Sequence, residues 1–177
     1  MGVSLGFTGT RAGLTNHQTI ALVYVLSRLE KQLIGIHHGD CVGADDQFHD
    51  ICVRCGFYDL IESHPCNLEK QRAFNKAPKI HKPKPPLNRN RDIVLASDLL
   101  FVCPKEDNEI IRSGTWATYR ESIRQKKSSI MFPPAGGFIK RVVENQDLLE
   151  PTAVVKVRQA TTLVKKPAVQ NNTTQPF

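Results

Sequence analysis

A chain of 177 residues, 40% hydrophobic and 23% charged, has the make-up of a soluble globular protein and the length for one domain with a full core rather than two. Its formal charge of +7 is uneven: residues 1–150 carry a net +3, whereas residues 151–177 carry Lys156, Arg158, Lys165 and Lys166 without a single acid. No segment reaches the roughly 18 apolar residues of a membrane span, which excludes a membrane partner.

Val3 to Thr8 reads as a first strand and ends in Gly9-Thr10-Arg11. Thr15 is placed to cap a helix in which Ile20, Leu22, Val23, Val25, Leu26 and Leu29 recur at helical spacing. Leu33 to His38 is a second strand, Gly39-Asp40-Cys41-Val42-Gly43 a turn, and Ala44 to Cys55 a helix closed by Gly56. Tyr58 to His64 is a third strand. Residues 66–86 form a polar, Pro-rich connection, read as a loop or as a short helix and a loop. Between Lys70 and Arg91 there are eight Lys and Arg and no acid, so a positive surface is expected near Arg89 and Arg91. Leu87 to Ala96 is a helix, Asp98 to Cys103 a fourth strand, Gly114 to Gln125 a helix, and Ser129 to Phe132 a fifth strand. Gly137 to Glu144 is read as a last helix. Beyond Pro151, Val154, Val155, Val157, Leu163 and Val164 suit an extra strand or two, and the polar end at Gln170–Gln175 suits disorder.

The alternation predicts an α/β fold of the doubly wound, Rossmann-like type, a mostly parallel five-stranded sheet with helices on both faces. Residues 1–150 make up the domain and residues 151–177 a basic, partly disordered extension. The N-terminus lacks the charged and apolar regions of a secretory signal. Five cysteines without such a signal are read as reduced thiols of a cytoplasmic protein.

In such a fold ligands bind beyond the carboxyl ends of the strands, and the Gly-containing turns all fall there. Gly9, Thr10 and Arg11 offer close backbone approach, a hydroxyl and a planar fork for phosphate. Gly39 and Gly43 bracket a loop whose Asp40 and Asp45 suit ribose hydroxyls, although Asp45 equally suits a helix cap. Asn88-Arg89-Asn90-Arg91-Asp92 opens a helix. Arg89 or Arg91 is expected on a phosphate, with Asn88 or Asn90 on a sugar or base. Arg112-Ser113-Gly114-Thr115-Trp116 pairs a small-residue turn with a helix N-terminus, which suits an anion. Trp116 can stack on a base, but a lone Trp more often fills a core. Cys52-x-x-Cys55, with His49, Cys41, His64 and Cys66 nearby in sequence, has zinc-ligand spacing. It lacks the second Cys pair of common structural sites and lies in an apolar helix, so neither a metal nor another cofactor is expected. Cys41, near His37 and His38 in sequence, offers a nucleophilic Cys–His arrangement as a further alternative.

These motifs, in this order, resemble the SLOG superfamily of Rossmann-like nucleotide-binding domains, which includes the DNA-processing protein A family and the Lonely Guy nucleotide phosphoribohydrolases. Gly9-Thr10-Arg11 resembles the "GSR" turn. Gly39 to Asp45, with His49, resembles the "G…GxD…H" element. Asn88 to Val94, with Ser97, resembles the "RNRxIxxxS" helix, and Ser113-Gly114-Thr115-Trp116 resembles the "SGT/SGS" turn. The likeness runs over residues 3–134 and is nearest the small stand-alone members from bacteria and phages. Lonely Guy enzymes carry "PGGxGTxxE"; here Ile111-Arg112-Ser113 replaces PGG and Thr118 stands where their glutamate would be.

The resemblance implies binding of a nucleotide or nucleotide-derived ligand through its phosphate. The alternative is hydrolysis of a nucleotide N-glycosidic bond, with Asp40 and Glu121 as catalytic carboxylates. A third reading is single-stranded nucleic-acid binding, weakened because Phe74 is the one aromatic in the basic block. Domains of this class often pair through helices, so a homo-oligomer is a further candidate partner.

Overall fold

The computed structural model describes residues 2–143. The extra strands and polar end expected after Pro151 lie outside the described residues. No helix among those described is long and apolar enough to cross a membrane.

Seven strands form one sheet: β1 (Val3–Gly9), β2 (Leu33–His38), β3 (Ile61–Ser63), β4 (Lys79–Ile80), β5 (Leu99–Cys103), β6 (Ser128–Met131) and β7 (Ile139–Arg141). Their order is β4-β3-β2-β1-β5-β6-β7, and every pairing is parallel except β6 with β7. The chain thus builds outward from β1 to β4, returns to the other side of β1 with β5, and builds outward again. The loops after β1 and β5 leave in opposite directions. The crevice they open is the switch point at which doubly wound folds hold ligands.

Four helices cover the sheet: α1 (Asn16–Leu29), α2 (Ala44–Arg54), α3 (Pro86–Ala96) and α4 (Gly114–Arg124). β5 is buried along its whole length, and its side chains alternate between two cores. Leu99, Phe101 and Cys103 join Leu22, Leu26, Phe48 and Phe132 under α1 and α2. Leu100 and Val102 join Ile93, Val94, Trp116 and Met131 under α3 and α4. Helices therefore lie on both faces of a mostly parallel sheet, as expected.

Thr15 caps α1 as expected, in a reciprocal box with Gln18. The buried Gln18 amide then donates to the carbonyls of Pro104 (2.8 Å) and Phe132 (2.9 Å), fastening α1 to the loops after β5 and β6. The apolar face of α1 is narrower than its sequence implies: Leu22, Val25, Leu26 and Leu29 are buried, while Ile20 and Val23 face solvent.

Among the described residues the strand count is seven rather than five. The connection 66–86 contains a short 3-10 turn, Glu69–Gln71, and the two-residue edge strand β4. The helix expected over Gly137–Glu144 is corrected within the described residues by β7. Gly136 and Gly137 both take positive φ, 107° and 77°, which turns the chain back against β6 instead of starting a helix.

Candidate functional site: a cationic cleft at the carboxyl edge of the sheet

Between the ends of β1 and β5 lies a cleft of about 530 Å³, within the range of small-molecule sites. Three loops and three helix starts supply its walls. Thr8, Gly9, Thr10, Arg11 and Ala12 come from the end of β1. Cys41 and Asp45 come from the loop into α2. Pro86, Arg89 and Asn90 come from the start of α3, and Lys105, Arg112, Ser113, Gly114 and Thr115 from the approach to α4. Gln71 closes the wall from the long connection.

Thr10 is the hub of the first loop. Its N–H donates to the Cys103 carbonyl, its carbonyl accepts from Gly13 and Ala44, and its hydroxyl accepts from the Ala12 N–H. That geometry joins β1, β5 and the start of α2 at one point. Gly43, at φ 92°, precedes α2, and a Cβ there would collide with the Arg11 backbone. The glycine lets the first two loops touch.

Arg89 forms the floor. Only 8% of it is exposed. A Cβ on Gly39 would fall inside its guanidinium, so that glycine is the slot in which Arg89 lies. One terminal nitrogen donates to Cys41 Sγ (2.7 Å), and the other lies 3.9 Å from Asp45 Oδ2. Nε is buried and has no hydrogen-bond partner among the described residues. A buried guanidinium donor without an acceptor is costly unless an anion completes it.

Asp45 is the carboxylate of the lining. It sits in the first turn of α2 and accepts from the N–H groups of Gly39 (3.0 Å) and Cys41 (3.4 Å). Burial raises its carboxyl to about 6, against the lowering pull of Arg89 and the backbone donors. Burial, with the Asp45 charge, also pushes the Cys41 thiol up to about 12, so it stays protonated. The two histidines weighed as its base are engaged elsewhere. His37 meets His64 (3.1 Å). His38 accepts from the Asp40 N–H at Nδ1, so its Nε2 carries the proton donated to His49 (3.0 Å). The Cys41 nucleophile reading is therefore corrected.

At the far wall Ser113 caps α4, accepting from the Trp116 N–H. The first-turn N–H groups of Gly114 and Thr115 are of the kind that a helix leaves without intrahelical acceptors. They face a lining that also holds Arg11, Arg89, Lys105 and Arg112.

Of the residues singled out from sequence, Gly9, Thr10, Arg11, Asp45, Arg89, Ser113, Gly114 and Thr115 line the cleft together, and Gly39 and Gly43 shape it from behind. Asn90 lines it rather than Asn88, which is exposed. Arg91 points away, 64% exposed and 3.7 Å from Glu121. Trp116, also named as a ligand contact, is corrected: it lies outside the lining, buried against Tyr119 in the second core, the commoner fate of a lone Trp. The two carboxylates proposed as catalytic are outside the lining. Asp40, at φ 54° and fully buried, accepts from Arg72 Nε and the Asn75 N–H (2.9 Å each), which anchors the long connection. Glu121, 12% exposed, accepts from Arg124 and Gln125 of its own helix, α4. Sequence reasoning missed Lys105, which no motif announces, and gave no role to the Arg112 side chain inside a turn it did single out.

No family model matches the chain, and no curated protein matches it. Among solved structures it is similar to DNA processing protein A from Helicobacter pylori, whose structure gives insights into a unique single-stranded DNA binding mode. The TM-score is 0.50 and the identity 18%, over 74% of this chain and 65% of that one. The chain thus spans 65% of that neighbour's length, and what the two share is a fold like that of DNA processing protein A, of Rossmann-like α/β type.

Proposed function

We propose that the chain binds a nucleotide or nucleotide-derived ligand through its phosphate in the cleft between β1 and β5. The observation that carries this reading is Arg89: a residue 8% exposed, whose buried Nε has no partner among the described residues, in a cleft of four cations and one carboxylate. Phosphate oxygens are the natural acceptors for such a fork and for the α4 N-terminus beside it. A volume of about 530 Å³ suits one nucleotide unit. The meeting of the Gly9–Arg11, Gly39–Asp45, Arg89–Asn90 and Ser113–Thr115 motifs also supports placing the chain in the SLOG superfamily. Calorimetry with mono-, di- and cyclic nucleotides tests the reading. Saturable binding that Arg89→Met weakens about a hundredfold is expected, from the loss of a charge-assisted contact. No binding across the panel would overturn it.

A second reading, single-stranded nucleic acid, has its own support. The long connection that contributes Gln71 and leads to Pro86 carries the exposed Lys70, Lys76, Lys82 and Lys84. It also carries Phe74, 58% exposed, with the Arg72 guanidinium 4.4 Å from its ring centre. The fold neighbour binds single-stranded DNA. A shift assay with short oligonucleotides, repeated at rising salt, distinguishes the readings. A strand gripped along this surface is released steeply by salt, whereas one nucleotide in the cleft is not. Hydrolysis is the least supported, because Asp40 and Glu121 are both paired outside the cleft and Asp45 is committed to backbone N–H groups.

A further inference from the structure

The opposite corner of the same sheet edge gathers a different chemistry. His37 on β2 and Glu62 on β3 are register partners, and so are Glu62 and Lys79 on β4. Residues two further along a strand share its face, so His64 and His81 join them on one side of the sheet. Three imidazoles and a carboxylate, separated in the chain by up to 44 residues, are brought together by strand pairing alone. We propose that His37, Glu62 and His64 form a three-ligand binding site for a divalent metal ion of the zinc class, with His81 beside it on Glu62.

The geometry carries the proposal. The ligand atoms of His37, Glu62 and His64 all lie within 4.8 Å of one another. Two ligands on one tetrahedral zinc are about 3.4 Å apart, given bonds near 2.1 Å. His37 Nδ1 is 3.1 Å from His64 Nε2 and 3.8 Å from Glu62 Oε2, one separation on each side of that value. His81 stands beside this group rather than in it: its Nε2 lies 2.8 Å from Glu62 Oε2, but its ring is stacked on His64 at 4.0 Å, so the two in-plane lone pairs run side by side and solvent is left the fourth position. His37 is 7% exposed whereas Glu62 and His81 are 27% and 35% exposed, which leaves a rigid inner ligand and a path in from solvent.

Lys79 distinguishes a metal site from a settled hydrogen-bond cluster. Its ammonium sits 2.9 Å from Glu62 Oε2 but is 60% exposed. It is a removable counter-cation on the oxygen an ion would take. Metal binding displaces it and ties the ends of β2 and β3 together.

The test uses the full chain stripped of metal and titrated with Co²⁺ and then Zn²⁺. The expected result is one ion per chain, the visible absorption of a tetrahedral Co²⁺ centre, its displacement by Zn²⁺, and a higher thermal midpoint with Zn²⁺. His64→Gln and Glu62→Gln should each weaken binding by about tenfold or more, from loss of a ligand. Lys79→Met should tighten it several-fold by removing the competing charge. Because Glu62 and Lys79 are 27% and 60% exposed, those two variants decide the matter even if His64→Gln does not fold. The proposal is overturned if the wild type binds neither ion saturably, or if Glu62→Gln and Lys79→Met both bind as the wild type does.

Discussion

The two corners of the carboxyl edge are built from the same material, strand ends and short loops, yet they treat polar groups in opposite ways. At the β1–β5 switch point, donors are left over: Arg89 Nε is buried without a partner, and the start of α4 opens beside it. At the β2–β4 corner, the polar groups satisfy one another: His37 with His64, and His81 and Lys79 with Glu62. The difference follows from topology. Where neighbouring loops diverge, side chains cannot reach across to each other, and their hydrogen-bonding capacity is left for a ligand. Where parallel strands stay in register, side chains on one face are neighbours and pair. A crevice of donors suits an anion; a cluster of imidazoles and a carboxylate suits a cation.

Breaking Arg89 is expected to have the largest effect. Arg89→Met should abolish the contrast, with the roughly hundredfold loss of nucleotide affinity given above. It should also lower stability, because Asp45 is left as a buried charge without its counter-ion. Thermal melts beside the calorimetry separate the two effects.

Next comes Asp40, a residue whose role can be sharpened. Asp40→Asn keeps a side chain that tolerates positive φ and removes the charge facing Arg72. A loss of about 2 kcal/mol in denaturant unfolding is expected, with nucleotide affinity within a few-fold of wild type. A variant of full stability that has lost ligand turnover would instead restore Asp40 to a catalytic role.

A smaller effect comes from pH. The folded Asp45 carboxyl titrates at about 6 rather than 3.8, so the folded state holds a proton that the unfolded state has released between those values. Its contribution to stability is therefore full below about 3.8 and is lost as pH rises through 6. Protonation also removes the carboxylate of an anion-binding lining. Affinity for a phosphodiester dinucleotide, whose own charge is constant here, should rise about fivefold between pH 7.5 and 5.5. Asp45→Asn should flatten that profile.

The smallest effect on binding is expected at Glu121. Glu121→Gln removes a charge that is itself 12% exposed but meets the exposed Arg91 and Arg124, and it should lower stability by about 1 kcal/mol and leave binding unchanged. Loss of base release in this variant, with binding intact, would revive the hydrolase reading.

Much of this protein is written locally. β5 is an apolar run and β1, β2 and β6 are apolar-rich segments, each bounded by turn residues, and the Thr15 and Ser113 caps are side-chain choices within a few residues of the helices they start. Gly9–Arg11, Gly39–Asp45 and Ser113–Thr115 could be read as strand-end turns because α/β alternation sends such turns to one edge. What the sequence by itself determined is this order of elements and the edge on which function would lie, since hydrophobic period and capping act over one or two turns of chain. Only the tertiary structure decided the rest. β4 and β7 are too short to show a period and exist because β3 and β6 offer partners. In sequence Asp40 and Asp45 look alike as acids beside glycines, and Arg89 and Arg91 as two cations of one cluster. Packing buried Arg89 on Gly39, turned Arg91 to solvent and gave Asp40 to Arg72. His37, Glu62, His64 and His81 share no spacing rule, because strand register, a property of pairs of segments rather than of either one, brought them together.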